Sequence, residues 1–267
     1  MTTNSYLFRS QWDQEYARLT GLAATFDATT TRHLTLAGVS AGWHCLEVGA
    51  GTGTIARWLA TAVGPDGRVV ATDRDVTFLD DLRSSVEVRE HDVTTDPLEE
   101  DAFDLVHCRA LVQHLPDRDA VIARLVRALR PGGVLVLEEG VCGGPSARMQ
   151  QRSTLPAASA EALNRVFDAT AGGFRSIGAE PEYGLDVPAV LRRAGLVDVD
   201  GELTYRLVHG GSPEAAFFEL TIRQIGARLI GAGLLTAEDE ETVLSMTADP
   251  TACWLSIGLF SATGRRP

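Results

Sequence analysis

Between residues 43 and 139, short apolar runs alternate with stretches of helical spacing, at intervals of roughly a dozen residues. The runs are Trp43–Val48, Arg68–Thr72, a strand near 86–90, Phe103–Cys108 and Val134–Leu137. Helical spacing fills the gaps at Ile55–Val63, around 76–83 and at Arg118–Leu129, the last with Asp117 as N-cap and Pro131-Gly132-Gly133 as its break. Parallel strands need a crossover between them, so this rhythm constrains the chain to an α/β fold whose mostly parallel sheet has helices on both faces.

Outside that stretch the pattern is helical. Residues 5–25 place Leu7, Trp12, Tyr16, Leu19 and Leu22 on one face, and a second helix is predicted over 27–38 with Asp27 as N-cap and Gly38 as stop. Residues 141–185 break the rhythm and read as an inserted lid with one helical stretch at Ala157–Thr170, flanked by Gly143-Gly144-Pro145 and Ala171-Gly172-Gly173. Asp186-Val187-Pro188 opens a helix ending at Gly195, followed by a strand at 197–208, helices at 213–232 and 236–247, and a last strand at Cys253–Ala262. The 267 residues are read as one domain with four parts: a helical cap (1–40), a ligand-binding core (41–140), the lid (141–185) and the remaining half of the sheet with its helical insertion (186–267).

Composition excludes several chemistries. All 24 basic residues are Arg, so no Lys can grip phosphates or form a Schiff base. A net charge of −12 opposes binding to nucleic acid or to an anionic membrane. Cys45, Cys108, Cys142 and Cys253 lie far apart and read as reduced thiols, and no spacing of His or acids suggests a metal. The first ten residues hold no apolar run and no stretch is long enough to span a bilayer, so a cytoplasmic monomer or homodimer is expected.

The chemistry concentrates at Leu46-Glu47-Val48-Gly49-Ala50-Gly51-Thr52-Gly53-Thr54, between a strand and a helix. Its glycines allow a sharp turn and close approach to a ligand, and the helix start presents free N–H groups. Asp73 ends the next strand, placed to accept from ribose hydroxyls or to cap a helix. Asp92 follows the third strand, placed to accept from an exocyclic amine or to serve as a turn acid. A dinucleotide turn carries its third glycine three residues after the second, where this chain has Thr54. The acid at Glu47 suits a cationic ligand better than a pyrophosphate, which favours a nucleoside with an amino-acid tail.

These residues resemble the first motif of class I S-adenosylmethionine-dependent methyltransferases. The likeness continues through Val69-Val70-Ala71-Thr72-Asp73, His91-Asp92-Val93, Phe103–Cys108, Leu111–Pro116 and Leu129-Arg130-Pro131-Gly132-Gly133. The whole chain is similar to small-molecule methyltransferases of bacterial secondary metabolism, a family whose Rossmann-like seven-stranded sheet has an antiparallel last strand. The resemblance implies that Glu47, Gly49, Ala50, Gly51 and Gly53 line the methionine part of S-adenosylmethionine. It implies Asp73 on the ribose, Arg74, Asp92 and Val93 around the adenine, and the backbone of Cys108 and Arg109, with His114, near the sulfonium. Trp12, Tyr16 and Arg18 are candidates to close the pocket.

Candidate bases are His114, Glu138 and Glu139, and Met149, Phe167, Phe174 and Tyr183 are candidates for an apolar acceptor pocket in the lid. The expected activity is methyl transfer to O, N or C of a small molecule, a natural-product intermediate. The alternatives are a family member that uses the cofactor for a cyclisation or decarboxylation, and a remote one, a nicotinamide oxidoreductase.

Overall fold

The structure, a computed structural model, describes Phe8 and residues 12–143 and 155–267. The chain divides into two compact units. One holds residues 27–139, 184–203 and 260–267; the other holds the described residues up to Phe26 together with 140–183 and 204–259.

The first unit is built on a seven-stranded sheet. Its strands are β1 (His44–Val48), β2 (Arg68–Asp73), β3 (Glu87–Glu90), β4 (Phe103–Arg109), β5 (Leu129–Val141), β6 (Val197–Thr204) and β9 (Gly258–Arg265), in the order β3-β2-β1-β4-β5-β9-β6. β1 lies parallel to β2 and to β4, with Leu46 beside Val70 on one side and Val106 on the other. β3 adds in parallel to β2, and β5 to β4. β9 runs the other way: Gly132 and Gly133, near the start of β5, exchange backbone bonds of 2.9 Å with Arg266, just past the end of β9. The expected mostly parallel sheet with one antiparallel strand is therefore present. Strand order reverses at β1, which opens a crevice at its carboxyl end between the crossovers to β2 and β4.

Helix α2 (Thr54–Val63) covers one face of this sheet because Ile55, Ala56, Leu59 and Val63 share its inner side. They pack with Cys45, Val69, Ala71 and Leu105 into a core that also takes in Leu79 and Leu82 of a 3-10 turn at Thr77–Leu82. α3 (Arg118–Ala128) starts as expected, with the Asp117 carboxylate accepting from Ala120 N–H, and α5 (Val187–Arg193) follows later in the chain.

Several expectations need correction. The two N-terminal helices are one, α1 (Glu15–Leu36). Asp27 does not cap it, because its carboxylate accepts instead from Arg109 Nη2 at 2.8 Å. β5 is 13 residues long rather than four, as Pro131-Gly132-Gly133 joins the strand through the bonds to Arg266. Asp186 makes no side-chain cap on α5. The last strand is two strands, broken at Ser256-Ile257, and the strand expected over 197–208 also divides.

In the second unit, β7 (Leu207–His209) and β8 (Cys253–Leu255) form a separate antiparallel pair, with Val208 beside Trp254. Around it lie α4 (Ala157–Ser176), α6 (Pro213–Gly231) and α7 (Ala237–Ala248). α4 runs straight through Gly172-Gly173, where a stop was expected, since Leu234 packs close against Gly172. The core here joins Phe167, Phe218 and Trp254, with ring centroids 5.3 and 6.4 Å apart, to Ile222, Ile225, Leu229 and Val243.

Gly21 lets α1 approach the first turn of α6: a Cβ there would lie 2.7 Å from the backbone nitrogen of Phe217. Gly21→Val is therefore expected to lower unfolding stability by about 1–3 kcal/mol, through forced separation of two packed backbones. Urea titration checks this, and an unchanged midpoint would show that the approach is not tight.

Candidate functional site

The glycine-rich turn leaves β1 at Val48 and enters α2 at Thr54. Gly49, Gly51 and Gly53 all have positive φ, at 75°, 56° and 75°. Gly53 is the most constrained, because a Cβ on it would lie 2.3 Å from Leu82 Cδ1. Its αL conformation starts α2 without any side-chain cap. Most of the turn's other amides point inward. Gly49 and Ala50 donate to Thr72 O at 2.8 and 3.0 Å, Gly51 to Asp73 Oδ2 at 2.9 Å and Gly53 to Ala50 O at 2.8 Å. The turn's own amides are thus bonded internally, and the uncapped first N–H groups of α2 follow it. What it presents instead is carboxylate.

Three acids stand around it. Asp73, at the end of β2, accepts from Gly51 N–H and from Asp75 N–H at 3.1 Å, and burial pushes its carboxyl up against those bonds. Its oxygens have lone pairs left for further donors. Asp92 Oδ1 accepts from the Thr94 hydroxyl at 2.6 Å and the Thr94 N–H at 2.9 Å; these bonds and Arg74 outweigh burial and hold the group below the usual range. Arg74 itself is exposed, with Nε 3.6 Å from Asp92 Oδ2. Val93 is buried beside them.

The third acid, Glu47, belongs to a polar ladder across the buried strands. It pairs in register with His107 of β4, and His107 Nδ1 lies 2.5 Å from Glu47 Oε2. The other ring nitrogen lies 3.3 Å from Glu138 Oε2 on β5. Glu138 also accepts from Ser261 Oγ at 2.5 Å and from the Thr30 hydroxyl of α1. Arg109 donates to Thr30 Oγ1 and Asp27 Oδ1, both at 2.8 Å. His107, Glu138, Thr30 and Ser261 are fully buried. Burial alone would lower the His107 pKa, but the two carboxylates raise it to about 9. For Glu138 burial works upward and the His107 bond and charge prevail, taking it down to about 2. Among the described residues nothing donates to Glu47 Oε1, the oxygen that remains available to a ligand.

Not every expected residue stands free for chemistry. Glu139 is fully buried, and its carboxylate accepts from the backbone N–H groups of Val112 at 2.8 Å, Gln113 at 3.2 Å and Leu111 at 3.4 Å. It anchors the 3-10 turn at Val112–His114, and burial pushes it up to about 8 despite those bonds. Glu138 is likewise enclosed in the ladder. His114 is buried too, with Nε2 3.1 Å from the side-chain nitrogen of Gln113. Cys108 is a fully buried thiol that burial pushes well up. The guanidinium of Arg109 is held by α1, and the residue after it, Ala110, has φ +51°, a strained conformation at the end of β4.

In the other unit, Phe167, Phe174 and Tyr183 are core side chains rather than free pocket walls, Phe174 packing edge-on against Phe8 at 5.9 Å. Arg18 is buried with Glu15 in a two-bond ion pair, at 2.5 and 2.9 Å. Tyr16 is exposed and Trp12 half-buried. Met149 lies outside the described residues. Sequence reasoning passed over His107, Thr30, Asp27 and Ser261 as parts of a network. A histidine within the otherwise apolar run Leu105–Cys108 was the available signal.

The family described as "Methyltransferase domain" matches residues 46–137. Methyltransferase GfsG of Streptomyces halstedii is 34% identical over 113 residues, which are 40% of this chain and 41% of the relative. The ubiquinone/menaquinone biosynthesis C-methyltransferase UbiE of Saccharophagus degradans is 29% identical over 113 residues, 39% of this chain and 45% of that protein. The chain thus spans about two fifths of the length of these curated relatives. In fold it is similar to phosphoethanolamine N-methyltransferase 2 of Haemonchus contortus, solved with phosphomonomethylethanolamine and S-adenosylhomocysteine. The TM-score is 0.53 at 17% identity, covering 99% of this chain and 55% of that one.

The ladder sets how stability depends on pH. His107, raised to about 9, contributes fully below its unfolded value near 6.5 and loses that contribution as pH rises toward 9. Glu139, raised to about 8, also loses its contribution as pH rises from its unfolded value near 4.5. Glu138, lowered to about 2, contributes above pH 4.5 or so and loses it as pH falls toward 2. Thermal melts are therefore expected to peak near pH 5 and to fall on both sides, and Glu139→Gln is expected to flatten the alkaline arm. A melting temperature still climbing from pH 5 to 9 would contradict the assignment.

Proposed function

We propose that this chain, whose residues 46–137 form a class I S-adenosylmethionine-dependent methyltransferase domain, transfers a methyl group to O, N or C of a small-molecule acceptor, a natural-product intermediate. The observation that carries this reading is the acidic character of the glycine-rich turn. Glu47 Oε1 is available where an ammonium group would sit, and the turn's own amides are bonded internally.

The residues fit the cofactor part by part. Glu47 meets its ammonium group, and Gly49, Ala50, Gly51 and Gly53 let its methionine chain lie against the backbone. Asp73 accepts from the ribose hydroxyls, which are donors that a half-enclosed carboxylate binds well. Asp92, Val93 and Arg74 border the adenine, and the backbone after Cys108 bends at Ala110 beside the sulfonium.

S-adenosylmethionine supplies an electrophilic methyl carbon and a good leaving group, so the reaction needs no Lys and no metal from the protein. The chain's own tasks are alignment of the acceptor, exclusion of water and, where the acceptor is a hydroxyl or an acidic carbon, removal of a proton. His114 is the residue proposed for that proton, since Gln113 orients its ring and its position follows β4 at the crevice. Glu139 assists by fixing the turn that carries His114. The names of the relatives, one a menaquinone and ubiquinone C-methyltransferase, make electron-rich ring carbons reasonable acceptors beside hydroxyls.

Incubation with methyl-labelled cofactor and a panel of phenols, quinols and aliphatic alcohols tests the reading. Label transfer to at least one small molecule is expected, and product formation without label would instead mean a non-methylating use of the cofactor. With a productive acceptor, His114→Gln is expected to lower kcat by about a hundredfold. An unchanged kcat would remove His114 as the base.

A further inference from the structure

Both ring nitrogens of His107 face carboxylate oxygens, Glu47 Oε2 at 2.5 Å and Glu138 Oε2 at 3.3 Å. Although burial opposes it, these carboxylates raise the His107 pKa to about 9, so the ring is charged at neutral pH and both nitrogens donate. The two acids do not depend on it equally. Glu138 retains the hydroxyls of Ser261 and Thr30 as donors. For Glu47, His107 is the one side-chain donor among the described residues.

We propose that His107 is a positioning residue for the cofactor's amino-acid end: bridging Glu138 to Glu47, it fixes Glu47 Oε2 and leaves Oε1 turned toward the glycine-rich turn, where it meets the ligand's ammonium group. This rests on the reading of the turn as an S-adenosylmethionine site.

The surrounding charges leave this task to His107. Arg109 is neutralised by Asp27 at 2.8 Å. His33 of α1, which also feels Glu138, is driven toward its neutral form by burial. Cys45 and Cys108 feel Glu47 but stay protonated, and Glu139 is taken up by the backbone of 111–113. One imidazolium against Glu47 and Glu138 leaves a net charge of −1, which a single ammonium group cancels. Without His107 no described side chain would hold Glu47 Oε2, whereas Glu138 would keep its two hydroxyl donors.

The test compares two ligands by calorimetry between about pH 6 and 8.5. S-adenosylhomocysteine carries the amino-acid tail; 5′-methylthioadenosine has the same nucleoside and sulfur without it. In the unaltered protein the Kd for S-adenosylhomocysteine is expected to stay flat. His107→Gln is expected to weaken it about tenfold or more and to leave methylthioadenosine within about twofold. Equal weakening of both ligands, or of neither, would overturn the proposal. If the unaltered protein bound neither ligand, the cofactor reading itself would fall, and the inference with it. A measurement that needs no variant is nitrogen NMR of the histidine rings. His107 is expected to be doubly protonated at pH 7.5 and to shift with S-adenosylhomocysteine but not with methylthioadenosine. A neutral ring at that pH would overturn the proposal equally.

Discussion

The structure turns on a carboxylate placed where burial makes it expensive. Glu47 lies one residue before the end of β1, beside Ala71 of β2 and His107 of β4, and its side chain is almost wholly enclosed. A buried charge is costly unless it is paired and hydrogen-bonded. The neighbouring strand answers with His107 in direct register, the next with Glu138, and α1 and β9 complete the shell with Thr30 and Ser261. Each added partner is itself polar and buried, so the ladder is stable only when all of it is in place. The continuous parallel order of β1, β4 and β5 supplies that alignment.

The same strands set out the binding crevice. Because strand order reverses at β1, the turns after β1, β2 and β4 converge at one sheet edge, bringing Glu47, Asp73 and the backbone around Ala110 to the same end. Glycine at 53 is dictated by sterics, since Leu82 occupies the volume that a Cβ would need. Turn shape and acid placement therefore have one origin, the packing of α2 and the following 3-10 turn on the sheet.

Much of this was legible from residues alone. Alternation of strand and helical runs gave β1, β2, β4 and β5 in order, because those strands are largely buried and rich in apolar residues, while β3 is an exposed edge strand. Asp73 and Asp92 were singled out by their position at or after strand ends, and Glu47 by its place two residues before the first glycine. What escaped was tertiary in origin. Asp27 looks like a helix start until Arg109 is known to face it. Gly172-Gly173 looks like a stop until Leu234 packs close against Gly172. Pro131-Gly132-Gly133 looks like a loop until Arg266 bonds to it. Glu139 has the composition of a base, and its three backbone donors come from a turn nearly thirty residues earlier. Phe167 and Phe174 have the composition of a pocket and serve as core.

The central claim is that the crevice after β1 takes a nucleoside with a cationic amino-acid tail and refuses a pyrophosphate. Calorimetric titration of the purified protein with S-adenosylhomocysteine, and separately with NADH, tests it most directly. Saturable binding of one S-adenosylhomocysteine per chain, with no heat from NADH, is the predicted result. Saturable binding of NADH, with S-adenosylhomocysteine inert, would contradict the account.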